Sequence, residues 1–188
     1  LNRALRNGRM RHAYLFTGPR QIGKTTLARA FAAALNCTGD TPPCGECRSC
    51  KLILKSAHPD LSIVEAEQDG GQIKIDQVRN LQQTLALRPY EARYRVAILR
   101  RFDAARPVAQ DALLKTLEEP APNAVLILTA DSAERLLPTI ISRCQPINLR
   151  PLAIETVREA LEWTYDAQQD VAKTLAQLSG GRIGWAIN

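Results

Sequence analysis

Hydrophobic positions fall into short blocks whose spacing alternates between two periods. "AYLFT" at 13–17 is an apolar run that stops at Gly18. "KTTLARAFAAALN" follows, rich in helix formers and with apolar residues at helical spacing, so a helix is expected there. "KLILKSA" predicts another helical turn or two, halted before Pro59. "LSIVEA" at 61–66 is a strand candidate, and "GGQ" punctuates the chain after it. "KIDQVRNLQQTLAL" places Ile75, Val78, Leu81 and Leu85 on one helical face, and Pro89 ends it. A strand Arg95–Leu99 and a helix Pro107–Leu117 come next, with Pro at a helix start where no N–H is missed. "AVLILTA" is nearly all apolar, as a strand covered on both faces should be. "PTIISRC" predicts a short helix and "PINL" a last strand.

Strands alternating with helices predict an α/β domain with a mostly parallel sheet and helices on both faces. After Arg150-Pro151 the pattern changes. "IETVREALEWTYD" and "QDVAKTLAQLSGG" are helical, and no strand candidate remains. A boundary is expected near Leu149–Leu152, dividing residues 1–150 from a small all-helical domain at 151–188.

The chain has 188 residues, of which 45% are hydrophobic, so a packed core is affordable and the composition argues against wholesale disorder. The formal charge of +6 permits contact with a nucleic-acid backbone or an acidic partner, and equally describes an ordinary solvated surface. No apolar run approaches the roughly 20 residues needed to span a bilayer. No signal peptide is visible, and the expected location is the cytoplasm.

Four stretches carry candidate chemistry. "GPRQIGKTT" at 18–26 matches G-x-x-x-x-G-K-[ST] between a strand and a helix. Gly18 and Gly23 would let backbone N–H groups turn around phosphate oxygens. Lys24 would reach the terminal phosphates of ATP, and the Thr25 hydroxyl would ligate magnesium, with Thr26 beside it. The rival reading is a glycine turn that merely starts a helix. "CTGDTPPCGECRSC" brings Cys37, Cys44, Cys47 and Cys50 within one short insert, 37–50. Four thiolates suit a closed, structural, tetrahedral zinc site; an iron–sulfur cluster and free structural thiols are the alternatives. The third stretch is notable for what it replaces. A nucleotide hydrolase wants acids at the tip of the strand Arg95–Leu99, to hold magnesium and polarise water, but Arg100 and Arg101 stand there. Asp103 lies past the expected tip, and Glu118 and Glu119 read as ordinary helix-end charges. Arg143, in "ISRCQ", is either a solvated arginine or a guanidinium presented to a phosphate on another subunit.

"HAYLFTGPRQIGKTTLARAFAAALNC", "CGECRSC", "HPDLSIVEA", "ALLKTLEEP" and "LLPTIISRC", in this order, resemble the AAA+ subunits of the bacterial DNA polymerase III clamp loader. The resemblance covers essentially the whole chain and implies an AAA+ P-loop fold with a zinc insert and a helical lid. That family divides into tau or gamma motor subunits and a delta-prime type. Motors carry Asp-Glu where this chain has Arg100-Arg101, and a γ-phosphate-sensing arginine that aligns with Gly184, with Arg182 close by. The resemblance is therefore to the delta-prime type, a stator that contributes to DNA replication without its own hydrolysis. A catalytically active tau/gamma-type subunit is the alternative; a small-molecule phosphotransferase and a bare DNA-binding protein fit the motifs less well. The resemblance further implies that Thr129 is a polar sensor and that Arg143 is a trans-acting arginine finger. It implies tau/gamma and delta subunits as partners and, indirectly, the sliding clamp and primer-template DNA. A third, all-helical collar domain has no counterpart here, so the sequence is expected to be part of a longer chain.

Overall fold

The computed structural model describes residues 10–68 and 70–187. Residues 1–9 of the expected first domain, and Asn188 of the second, lie outside them. Five parallel strands form one sheet: β1 (Ala13–Thr17), β2 (Leu61–Val64), β3 (Arg95–Leu99), β4 (Ala124–Ala130) and β5 (Gln145–Asn148), in spatial order β2-β3-β4-β1-β5. Helices α1 (Lys24–Leu35), α2 (Arg48–Leu54), α3 (Ile75–Leu85), α4 (Pro107–Glu118) and α5 (Pro138–Arg143) connect them.

The period-2 alternation of each strand divides the core in two. On one face Leu15, Ala97, Leu99, Leu126 and Leu128 pack against Val78, Leu81 and Leu85 of α3 and Leu113 and Leu117 of α4. On the other, Tyr14, Phe16, Val96, Ile98, Val125 and Ile127 pack against Ala28, Phe31 and Leu35 of α1 and Cys50 and Ile53 of α2. Such residues contribute about 1.5–3 kcal/mol each when fully buried. The central strands β1, β3 and β4 are buried throughout apart from Thr17, whereas the edge strand β5 is mostly exposed and tolerates Pro146.

Several element ends differ from expectation; α2 begins at Arg48, inside the cysteine insert, rather than at Lys51. β2 stops at Val64 rather than Ala66, because its partner β3 ends at Leu99, opposite Val64. β5 runs over Gln145–Asn148 rather than Pro146–Leu149, its register set by Tyr14↔Gln145 and Thr17↔Asn148. α3 spans Ile75–Leu85, and Leu87 beyond it is exposed.

Beyond β5 come α6 (Ile154–Tyr165), α7 (Gln169–Ser179) and α8 (Ile183–Ala186). They bury a small core of their own, Val157, Leu161, Ala172, Ala176 and Ala186. Leu152 N–H donates to Gly181 O at 2.9 Å, and Gly184 N–H donates to Gln21 O at 2.7 Å. The second bond ties the helical unit to the loop after β1.

Candidate functional site

The loop 18–23 leaves the carboxyl end of β1, where parallel sheets present ligand-binding crevices. Gly18 has φ +142, and a Cβ there would lie 2.4 Å from Leu149 O, so only glycine fits between the loop and the chain after β5. Gly23, at φ +94, is the left-handed residue that starts α1. Lys24 is buried, and its Nζ donates to Gly18 O (2.6 Å), Pro19 O (2.8 Å) and Asp131 Oδ1 (2.9 Å). All three ammonium protons therefore have acceptors within the chain. Thr25 is half-buried and Thr26 exposed, one residue further along the same helix.

Asp131 follows the end of β4 and is the acid that the sequence did not single out. Arg20 Nε also donates to it, at 2.7 Å. Burial alone would raise its carboxyl, but the hydrogen bonds from Lys24 and Arg20 outweigh that and hold it below the usual range. Its N–H donates to Asp103 Oδ2 at 3.2 Å, so Asp103 braces the end of β4.

At the tip of β3, Arg100 N–H continues the ladder to Val64 O (2.8 Å), and Arg100 Nη1 pairs with Glu65 at 2.5 Å. Arg101 adopts a left-handed conformation, φ 51, and its N–H donates to Thr129 Oγ1 at 3.0 Å. Thr129 is buried and lies two residues before Asp131. These groups surround one cleft of about 690 Å³. Arg20, Lys24, Arg29, Arg100 and Arg101 line it, with Asp131 as the one carboxylate among the lining residues. Thr25, Thr26, Thr129 and Gly184 line it too. Gly184 therefore faces the cleft, whereas Arg182 is turned away, its Nε donating to Ser179 O at 2.8 Å.

The cleft offers magnesium the Thr25 hydroxyl but no free carboxylate among its described lining residues. Magnesium asks for carboxylate or water oxygens in an octahedron, and the lining's one acid is already shared between Lys24 and Arg20. The guanidinium groups at positions 100 and 101 supply no lone pair.

The four insert cysteines behave differently. Their sulfurs all lie within 4.8 Å of one another. Sulfurs of a tetrahedral tetrathiolate at zinc bond lengths stand about 3.8 Å apart, so the cluster fits a metal with little adjustment. Backbone N–H groups point at the sulfurs in sequence: Cys44 N to Cys37 Sγ (3.4 Å), Cys47 N to Cys44 Sγ (3.3 Å) and Cys50 N to Cys47 Sγ (3.4 Å). N–H donors from Thr38 and Cys50 lower the Cys47 thiol to about 6, while burial pushes Cys50 up to about 12. A bound cation would bring all four to the thiolate form together. Such a metal would leave no open position and could only hold the insert against α1 and α2. Cys144 is buried far from the cluster, and burial pushes its thiol up to about 12.

Arg143 ends α5, at the amino end of β5, whereas the loop lies at its carboxyl end. Its Nη2 lies 2.7 Å from Glu118 Oε1, and its Nη1 donates to Thr139 O at 3.0 Å. Glu118 is thus more than a helix-end charge: it holds the guanidinium of a partly exposed arginine. This pairing joins α4 to α5 across 25 residues, and no local pattern marks it.

The chain matches the family described as "DNA polymerase III, delta subunit" over residues 1–153. It is 38% identical over 176 residues to the DNA polymerase III subunit delta' of Pseudomonas aeruginosa, covering 90% of this chain and 53% of that protein. The corresponding Bacillus subtilis delta' subunit is 35% identical over 179 residues, covering 95% and 52%. The Bacillus subtilis tau subunit is 34% identical over 171 residues, covering 90% and 30%. The chain spans about half the length of the delta' relatives it matches. Two solved structures share the fold at low identity. A gamma-subunit-related protein of Thermotoga maritima has TM-score 0.60 and 18% identity, covering 94% of this chain and 57% of that one. The Thermotoga maritima RuvB branch-migration motor has TM-score 0.63 and 16% identity, covering 98% and 55%. Motif order, AAA+ fold and family match agree: the chain belongs to the DNA polymerase III delta-subunit family, with delta' and tau/gamma subunits as its relatives.

Proposed function

We propose that this chain acts as a delta-prime-type stator of the bacterial clamp loader, in the cytoplasm, and that its own cleft does not hydrolyse ATP. The observation that carries this is the charge of the cleft. Arg100 and Arg101 occupy the strand tip where a hydrolase keeps its acids, and Asp131 is committed to Lys24 and Arg20. No carboxylate among the lining residues is left to hold magnesium or orient water. Gly184 adds to this, since it brings no cation to the cleft. Residues 1–150 then serve as a nucleotide-binding-like domain, braced by structural zinc on Cys37, Cys44, Cys47 and Cys50, and 151–188 as a small helical lid.

Arg143 would act outside its own chain. Its guanidinium is partly exposed and held by Glu118 and Thr139 rather than by a core partner. A planar fork presented in this way can stabilise charge developing on the γ-phosphate of a neighbouring tau/gamma subunit. Tau/gamma and delta subunits are the expected partners, with the sliding clamp and primer-template DNA reached through them.

The test is reconstitution of the full-length protein with tau/gamma and delta. Arg143→Ala is expected to lower ATP turnover at the neighbour's site by on the order of a thousandfold, the usual cost of losing an arginine finger. Arg143→Lys should recover little. Assembled loader that turns over ATP and loads clamps at the unmutated rate would refute the assignment. The rival is a motor of tau/gamma type, favoured by the complete Gly18–Thr25 loop. Magnesium-dependent turnover by the isolated chain, abolished by Lys24→Ala, would establish the rival instead.

A further inference from the structure

Resting on the reading of Arg100 and Arg101 as replacements for acids, we infer that the cleft binds a polyphosphate chain without a divalent cation. In an ordinary P-loop the cation neutralises the phosphates and is held by the loop's Ser or Thr together with strand-tip acids; here Thr25 remains and the acids do not. Here the lining carries five cations against one carboxylate, and Glu65, just outside the lining, pairs with Arg100. A divalent ion entering it meets like charge and, among the described lining residues, no uncommitted acid, whereas a triphosphate meets opposite charge from three directions. Lys24 and the first turn of α1 approach from the loop. Arg100 and Arg101 approach from the β3 tip, and Arg29 from one helical turn further along α1.

Two further observations point to an anion. Arg100 Nε is shielded from solvent and has no hydrogen-bond acceptor among the described residues. An N–H donor so placed takes its acceptor from water or from an oxygen brought in by a ligand. The second is Asp131. Its carboxylate occupies Lys24 where a phosphate oxygen would otherwise sit, 2.9 Å away, and so acts as an internal competitor. A polyphosphate that displaces it exchanges one oxyanion for another around Lys24. The cleft is thus selective for ligands charged strongly enough to make that exchange.

The experiment measures binding by calorimetry on the full-length, zinc-loaded protein. The buffer is freed of divalent ions by resin rather than by a soluble chelator, which would strip the cysteine site. ATP and inorganic triphosphate are each titrated with and without magnesium. Binding is expected without magnesium, and magnesium should tighten it by no more than about threefold, since the cleft offers the ion no acid. Lys24→Ala and Arg100→Ala should each weaken it by about tenfold or more, the scale of one lost close charge pair. Asp131→Asn should tighten it. ATP binding tighter than triphosphate identifies a nucleotide ligand, and equal binding identifies free polyphosphate; both support a metal-independent site. Binding that appears only with magnesium, or no binding of either ligand by the unmutated and Asp131→Asn proteins, overturns the inference. Neither of those results touches the Arg143 test, whereas turnover lost in Lys24→Ala would sink the stator reading itself.

Discussion

Replacing Asp60 by asparagine removes a single charge from the most densely bonded acid among the described residues. Asp60 is 1% exposed and lies just before β2. Its Oδ1 accepts from Tyr90 N–H (2.6 Å) and Arg95 Nη2 (3.0 Å), and its Oδ2 from Glu91 and Ala92 N–H (2.9 Å each). One carboxylate thus closes the loop 88–92 and pairs with a guanidinium that is itself nearly buried. Asparagine keeps one acceptor oxygen. In either orientation its NH2 group faces two donors, so two of the four bonds are lost and Arg95 keeps its charge without a counter-ion. Breaking a buried pair by removing one partner costs about 3–5 kcal/mol, a large share of the 5–15 kcal/mol typical of a domain. Urea unfolding of the zinc-loaded protein, followed by far-ultraviolet circular dichroism, measures the loss. The pH dependence follows with a definite sign. Burial would raise the Asp60 carboxyl, but the three backbone N–H groups and Arg95 outweigh it, and the net shift is downward. Its contribution is therefore complete above the carboxylate's unfolded value, about 4, and is lost as pH falls through the lower folded value. An Asp60→Asn protein within about 1 kcal/mol of the unmutated one at pH 7 would refute this account, since so small a loss is the scale of one neutral hydrogen bond.

Cys44→Ser should release the metal and loosen 37–50 while leaving the sheet folded. Elemental analysis is expected to find about one zinc per unmutated chain and much less in the variant. Iron, or no metal with four freely reactive thiols, would refute the zinc assignment. Gly184→Arg should not create a phosphate sensor. A Cβ at that position lies 2.8 Å from Gln21 O, so the variant is expected to lose about 1–3 kcal/mol by overpacking and to expose 151–187 to limited proteolysis.

The parts of this molecule that could be read in advance are those whose signal is local. β1, β3 and β4 are mostly apolar runs because helices cover both faces, and their bounds agree with the chain pattern. The cysteine cluster could be read because its ligands lie within one insert. The glycine loop could be read because its spacing reflects a backbone requirement. What was not legible involves pairs far apart in the chain. Asp131 meets Lys24 across 107 residues. Asp60 meets Arg95 across 35. Glu118 meets Arg143 at the junction of two helices. Periodicity states which face of an element is apolar, but not which distant charge it will meet. The ends of β2 and β5 slipped for a related reason. A strand's length is set by its neighbour's register as much as by its own residues.

The placement of β5 has a mechanical consequence. Arg143 lies two residues before β5, and Leu149, one residue after it, presses its carbonyl against Gly18 and donates its N–H to Thr17 O at 2.8 Å. Residues 145–149 thus form a strut roughly 13 Å long, at about 3.3 Å per residue. It is stitched to β1 along its whole length, with Arg143 near one end and the glycine loop at the other. A hinge between the two would have to shear the β1–β5 ladder. Displacement at either end is therefore passed to the other as translation of a stiff ribbon rather than absorbed by bending, and the two ends keep a constant separation as long as the sheet is intact.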